Sequence, residues 1–168
     1  NFKTRLNLLK SIYRKSRKDQ KNKGAYDCIV GISGGKDSTR QAHWVRDRLG
    51  LRPLLICVAY PPKQMSQIGA ENLSNIINMD FDLITITPSP KTSAELSLES
   101  FRKFGNVSKS SEKALFSTVP RIAIDLGVNT IFWGENNATQ VGDFSSLGKD
   151  VFDGNNLRKL NTLNSGGE

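Results

Sequence analysis

Short, nearly continuous apolar runs alternate along this chain with segments of helical period. Tyr26-Asp27-Cys28-Ile29-Val30-Gly31-Ile32 predicts a buried strand over 26–32, and Thr39-Arg40-Gln41-Ala42-His43-Trp44-Val45 continues a helix over 36–49 that Gly50 closes. Residues 52–60 are apolar throughout, as a parallel strand covered on both faces should be, and Pro61-Pro62 stops them. A helix follows over 66–79, with Ser66 as cap and Ile68, Leu73, Ile76 and Ile77 turned inward. Residues 81–87 predict a third strand, ended by Pro88 and Pro90. Helices are expected over 92–104 and 111–126, broken at Gly105-Asn106, with Pro120 as a kink or an early start in the second. Residues 129–133 predict the fourth strand, with Trp133 in the core. Strands that alternate with helices predict an α/β fold with a doubly wound parallel sheet. Crossovers are then right-handed, and ligands bind at the carboxyl ends of the strands. Strands one and four are the expected neighbours across the switch point. The stretch 142–162, rich in glycine and asparagine, reads as a loop.

The first 23 residues differ from the rest. Phe2, Leu6, Leu9, Ile12 and Tyr13 stand at helical spacing, and 15–23 reads as a polar linker. This stretch holds nine Lys/Arg against one acid, Asp19, while the remainder holds fifteen of each. The net charge of +8 is therefore a local arm, not a field over the whole chain. Such an arm suits either an anionic partner or a solvated helix face, and the apolar spacing favours the second, which makes nucleic acid an unlikely partner. The division expected is a basic amphipathic helix and linker over 1–23 and one domain over 24–168. The start at Asn1 and the stop just after 165–167 suggest a piece of a longer enzyme.

Candidate chemistry narrows this picture. No apolar run approaches the roughly 18–20 residues of a membrane span, and no signal peptide is visible. Cys28 and Cys57 both sit in strand-like runs, which predicts buried, reduced thiols and a cytoplasmic setting. His43 is the single histidine and there is no Cys-x-x-Cys pair, so a zinc site or a Ser-His-Asp triad has almost no support. His43 itself reads as a packed or surface residue.

The informative stretch is Ser33-Gly34-Gly35-Lys36-Asp37-Ser38, between the first strand and the first helix of the domain. Two glycines let the backbone approach an anion, and the first N–H groups of the helix point at it. Lys36 adds a mobile charge; Ser33 and Ser38 add hydroxyl donors. The alternative is that Ser33 is only an N-cap and Asp37 only a first-turn acid. Walker A does not fit, since Gly31 to Gly35 is one residue short and Asp37 follows the lysine. The dinucleotide fingerprint fails because Ser33 stands at its second glycine.

The six residues resemble the S-G-G-K-D-S signature of the PP-loop ATP pyrophosphatases, in the expected strand–turn–helix context. The resemblance implies an adenine nucleotide alpha-hydrolase-like (HUP-type) three-layer sandwich. It also implies ATP cleavage between the α and β phosphates, Mg2+ as cofactor, and activation of an acceptor oxygen as its adenylate. Lys36 and Asp37 are the catalytic candidates. The ATP and pyrophosphate set is Ser33, Gly34, Gly35, Lys36, Asp37, Ser38, Ala59, Tyr60 and Gly134. Of these, Ala59 and Tyr60 are placed beside adenine by fold analogy. Asp37 and Glu135 are the candidate magnesium ligands; for Glu135 the alternative is a helix-start acid. Asn136, Arg158 and Lys159 are substrate candidates, and the last two serve equally as ordinary surface charge.

One branch of the group is similar over nearly all of 25–168. Phe132-Trp133-Gly134-Glu135-Asn136 and the stretch Asp153-Gly154-Asn155-Asn156-Leu157-Arg158-Lys159-Leu160-Asn161-Thr162-Leu163 resemble the N-acetyl sugar amidotransferases of bacterial surface-polysaccharide synthesis, which act on lipopolysaccharide O-antigen sugars and on pseudaminic or legionaminic acid precursors. The implied reaction turns an acetamido group into an acetamidino group, with ammonia from a glutaminase partner and a cyclase-like channel subunit. Members of that branch carry a cysteine-rich zinc-binding segment before this region and further helices after it; neither is in this sequence. A tRNA-thiolating or lysidine-forming PP-loop enzyme is the first rival. It is favoured by the basic arm and opposed by Gly134-Glu135-Asn136 in place of its usual G-H-N and by the lack of catalytic cysteines. A nucleotide-binding module without catalysis is the second.

Overall fold

The computed structural model describes residues 1–19 and 24–134. By their contacts the described residues fall into two compact units, one within Asn1–Thr87 and Thr118–Gly134, the other Pro88–Ser117.

The first unit holds a parallel sheet of β1 (Cys28–Gly31), β2 (Pro53–Val58), β3 (Leu83–Ile86) and β4 (Ile131–Phe132), in the order β3-β2-β1-β4. The sequence order reverses at β1, which pairs with β2 on one side and β4 on the other. Ile29 stands opposite Leu54 and Ile131, and Val30 opposite Leu55 and Phe132. The expected neighbourhood of the first and fourth strands is therefore observed. The fold is α/β with a doubly wound parallel sheet, as the pattern predicts. Observed strands are shorter at both ends than the apolar runs, because the flanking residues leave the ladder to make the turns.

Alternation along β1 and β2 divides the core into two layers. Cys28, Val30, Ile32, Leu55, Cys57 and Ala59 lie in one cluster with Ala42 and Val45 of α2 (Lys36–Asp47) and Ile76 of α3 (Gln67–Asn78). Ile29, Leu54 and Ile56 lie in the other, with Val119 and Ala123 of α5 (Lys109–Asp125) and Val128. Adjacent strand residues point to opposite faces, so both faces are covered and all these side chains leave water. β3 is the outer strand, and its Ile84 and Ile86 are exposed among the described residues.

α1 (Phe2–Asp19) corrects the linker reading. It runs on through residues 15–19, because lysine and arginine propagate a helix well and long-range ties hold its end. Those ties are Ser16 Oγ to Thr130 Oγ1 at 2.7 Å and Arg17 Nη2 to Asp27 Oδ1 at 3.1 Å. Leu6, Leu9 and Tyr13 pack on the core, while Phe2 and Ile12 are exposed, contrary to the predicted apolar face. In α3 the Ser66 cap is as expected, with its oxygen accepting from the Gly69 N–H at 3.1 Å. Ile76 is buried and Leu73 half-buried, but Ile68 and Ile77 face solvent. A four-residue inward set was too wide for a helix lying on a strand layer.

In the second unit, α4 (Pro90–Phe104) opens two residues earlier than predicted. Pro90 takes the first turn, where its missing N–H costs nothing, and Ser89 caps it by accepting from Thr92 N–H at 3.2 Å. Gly105, at φ +66°, ends it. α5 carries Pro120 inside it, and its residues from Thr118 onward belong to the first unit.

Candidate functional site

β1 ends at Gly31 and α2 begins at Lys36, so residues 32–35 make the turn. Gly34 has φ +81°, in the region that side chains avoid. A Cβ there would also meet the Asn72 Cβ at 3.1 Å, so the turn is pressed against α3 and glycine is required. Gly35 is the N-cap of α2, and among the described residues no side chain caps the helix. The first helical bond runs from Thr39 N–H to the Gly35 carbonyl at 3.1 Å. The N–H groups of Lys36, Asp37 and Ser38 thus stand at an uncapped, positively polarised helix start. This removes the alternative in which Ser33 is merely the cap.

The two serines have different settings. Ser38 is buried, and its hydroxyl donates to the Gly35 carbonyl at 3.2 Å while accepting from Ser33 N–H at 3.3 Å. It braces the loop from within. Ser33 is exposed; its Oγ accepts from Gly35 N–H at 3.3 Å and lies 3.3 Å from Ser38 Oγ. Lys36 and Asp37 are exposed.

β4 brings the second wall. A Cβ on Gly134 would lie 3.6 Å from Ser38 Cα, so the end of β4 runs close beside the start of α2. A Cβ on Gly31 would meet the Trp133 ring at 3.1 Å, so the indole covers the last residue of β1. Gln41, one turn into α2, donates its Nε2–H to the Trp133 carbonyl, and its buried Oε1 has no partner among the described residues. Motif reasoning missed Gln41. Its signal was position: at three residues from Ser38 it falls on the inward stripe of α2, where a polar side chain needs a partner.

Ala59 and Tyr60 follow β2 at the same edge of the sheet. Ala59 is buried and its N–H is held by the Ile86 carbonyl at 2.9 Å; Tyr60 is exposed. Thus 33–38, Ala59, Tyr60 and Gly134 are gathered at the carboxyl ends of the strands. Glu135, Asn136, Arg158 and Lys159 lie outside the described residues. His43 is a structural residue, with Nε2 3.3 Å from Met79 Sδ and its ring edge-on to Phe81.

The loop fits an oligophosphate: free N–H groups, an exposed ammonium and a backbone cleared of side chains converge there. Asp37 is the exposed carboxylate of this loop and could face a cation there. Among the described residues there is no group of three metal-ligating side chains. Also among the described residues, no helix is long and apolar enough to cross a membrane.

No family model matches the chain. Over 67 residues it is 33% identical to the NH3-dependent NAD+ synthetase of Halobacterium salinarum, covering 39% of this chain and 25% of that protein. Its fold matches the NH3-dependent NAD synthetase of Campylobacter jejuni, solved with a nitrate ion, at a TM-score of 0.55 and 12% identity; 85% of this chain and 61% of that one are covered. It matches the NMN synthetase of Francisella tularensis at 0.53 and 16%, covering 80% and 56%. The glutamine-dependent NAD+ synthetase of Acinetobacter baumannii, solved with ADP, matches at 0.52 and 20%, covering 77% and 25%. The chain therefore spans about a quarter of the curated relative it matches, and the structural likeness is one of fold.

Proposed function

We propose that this chain is the ATP-pyrophosphatase part of an AMP-forming amidotransferase of the PP-loop type. The observation that carries the reading is the uncapped start of α2 behind Gly34 and Gly35, with Lys36 exposed beside it. Relatives whose printed names say NH3-dependent or glutamine-dependent, one of them holding ADP, support an ammonia-using, adenine-nucleotide reading.

In this reading the acceptor oxygen attacks the α-phosphorus of ATP and the bond to the β-phosphate oxygen breaks. Pyrophosphate leaves with the electron pair. Ammonia then attacks the activated carbon, and AMP departs with the former acceptor oxygen. The N–H groups of 36–38 and the Lys36 ammonium stabilise charge gathering on the pyrophosphate. Asp37 and Glu135 would hold Mg2+ from the protein side, where it would supply further neutralisation of that charge. Ser33 donates to a phosphate oxygen, and Ser38 holds the loop in shape. Ala59 and Tyr60 flank the adenine. Close fixing of the two reactants supplies much of the rate without a general base.

The acceptor we favour is the acetamido oxygen of an N-acetyl sugar, nucleotide-linked or acidic, in bacterial surface-polysaccharide synthesis. That choice rests on the similarity of residues 132–136 and 153–163 to that branch. Asn136, Arg158 and Lys159 are its substrate candidates, and a glutaminase with a channel subunit is its ammonia source. The synthetase matches favour a second reading, in which a carboxylate is adenylated and amidated by the same steps.

The test is product identification with ATP, Mg2+, ammonia and a panel of N-acetyl sugars and carboxylates. AMP and pyrophosphate are expected, and the acceptor that supports their release separates the two readings. ADP as the product would overturn both. Lys36→Ala should abolish turnover with the fold intact, because the side chain is exposed.

A further inference from the structure

The amino ends of the strands, opposite the phosphate loop, hold a cavity of about 540 Å³. It is lined by Tyr13, Arg14, Arg17 and Lys18 of α1 and by Gly24, Tyr26, Asp27 and Arg52 at the entries to β1 and β2. All of these belong to the first unit. The volume falls within the roughly 300–1,000 Å³ of small-molecule sites.

Its charge is one-sided. Four cationic side chains face one carboxylate, and that carboxylate is already engaged. Asp27 is buried, and its Oδ2 accepts from the Arg52 backbone N–H at 2.9 Å and from Arg52 Nε at 3.4 Å. Its Oδ1 takes Arg52 Nη2 at 3.4 Å and pairs with Arg17 Nη2 at 3.1 Å. Arg17 and Arg52 are thus anchored by their inner donors with a net charge to spare, since two guanidiniums share one anion. Arg14 and Lys18 have no ion pair among the described residues. Two tyrosines line the same cavity, and Tyr26 Oη donates to Asp82 Oδ2 at 3.0 Å, so the Tyr26 side chain is fixed.

We infer that this cavity binds a small phosphate-bearing anion of up to nucleotide size, at a site separate from the ATP loop. Phosphate matches the guanidinium fork, and the free cations Arg14 and Lys18 supply the attraction that Asp27 does not consume. A half-open pocket of this volume, with two tyrosines in its wall, favours a compact ligand over a nucleic-acid strand, which needs a longer track of cations. The site joins α1 to the sheet, so an anion there ties down the arm that the sequence marks as basic. This goes beyond the proposed reaction and stands at the other edge of the sheet from it.

The test is a titration of the full, isotope-labelled chain with inorganic pyrophosphate, followed by amide resonances. Tyr26, Asp27 and Arg52 report the cavity; Gly34 and Gly35 report the loop. Saturable shifts in the cavity set are expected. In the double variant Arg14→Gln, Lys18→Gln those shifts should weaken by about tenfold or more in affinity, with the loop set unchanged. Both substitutions lie on exposed positions of α1, so the fold should survive. A cavity set that does not move, or that responds equally in the variant, overturns the proposal. So does a short RNA that binds the cavity set far more tightly than pyrophosphate, with a steep salt dependence, which would make the site a nucleic-acid contact.

Discussion

Gly34 and Asn72 stand so close that a Cβ added to the glycine would lie 3.1 Å from the asparagine Cβ, with Gly34 at φ +81°. Asn72 belongs to α3, so its Cβ cannot swing away as the tip of a long side chain would. Gly34→Ala should therefore cost about 1–2 kcal/mol from the left-handed backbone alone, and more from the contact. Thermal unfolding should show a lower Tm, and ATP binding should fall further than stability explains. Unchanged binding in a folded Gly34→Ala variant would show that the loop shape is not what holds the phosphates.

Gln41 ties α2 to the Trp133 carbonyl. Gln41→Leu removes the tie together with the buried, unpartnered Oε1, so the net stability change should stay within about 1 kcal/mol. The expected effect is on position: Gly134 loosens beside Ser38, and KM for ATP rises several-fold with a smaller change in kcat. A fall in kcat alone would argue against a positioning role.

Asp27 gives the fold a pH dependence. Burial by itself would raise its carboxyl, but the hydrogen bonds from Arg52 and the charges of Arg17 and Arg52 outweigh that and hold it below the ordinary value. A depressed carboxyl stabilises the fold above its unfolded pKa and loses that contribution as pH falls through the folded value. The loss should therefore begin below about pH 4. Asp27→Asn should cost about 2 kcal/mol at neutral pH and flatten the acid side of the stability profile. An acid limb as steep as that of the parent chain would exclude Asp27 as its source.

The two thiols should be inert in the folded chain. Burial pushes Cys28 up to about 12, helped by the nearby Asp27 charge, and burial also raises Cys57. Thiolate at neutral pH is then scarce, and a thiol reagent such as DTNB needs thiolate. Neither cysteine should label within minutes in buffer, and both should label in denaturant. Fast labelling of the native protein would mean that β1 or β2 opens readily.

The sheet and the 33–38 turn were legible because their signals are local. The apolar runs around Val30 and Leu55 bury on both faces, and the 33–38 signature follows the first of them directly. What escaped depends on distant partners. Nothing near Ser16 or Arg17 indicates that Thr130 and Asp27 extend α1 to residue 19. Ile68 and Ile77 have helical spacing, yet the inward stripe of α3 is narrower than their arc. The pocket at Asp27 had one sequence clue, an acid opening a buried strand, which must find a cation. That cation, Arg52, is 25 residues away. The acceptor reading rests on residues 132–136 and 153–163, most of which lie outside the described residues.

The strand order also sets a schedule. During synthesis β1, β2 and β3 leave the ribosome in turn and can pair as a half-sheet, with the 33–38 turn already between β1 and α2. The other edge of β1 stays open until residues 131–134 arrive about a hundred residues later and Gly134 closes against Ser38. The 33–38 turn is thus made early and the wall beside it late. A ligand spanning both would bind the finished chain and not the nascent one, so its binding free energy would add directly to the stability of the last strand to dock.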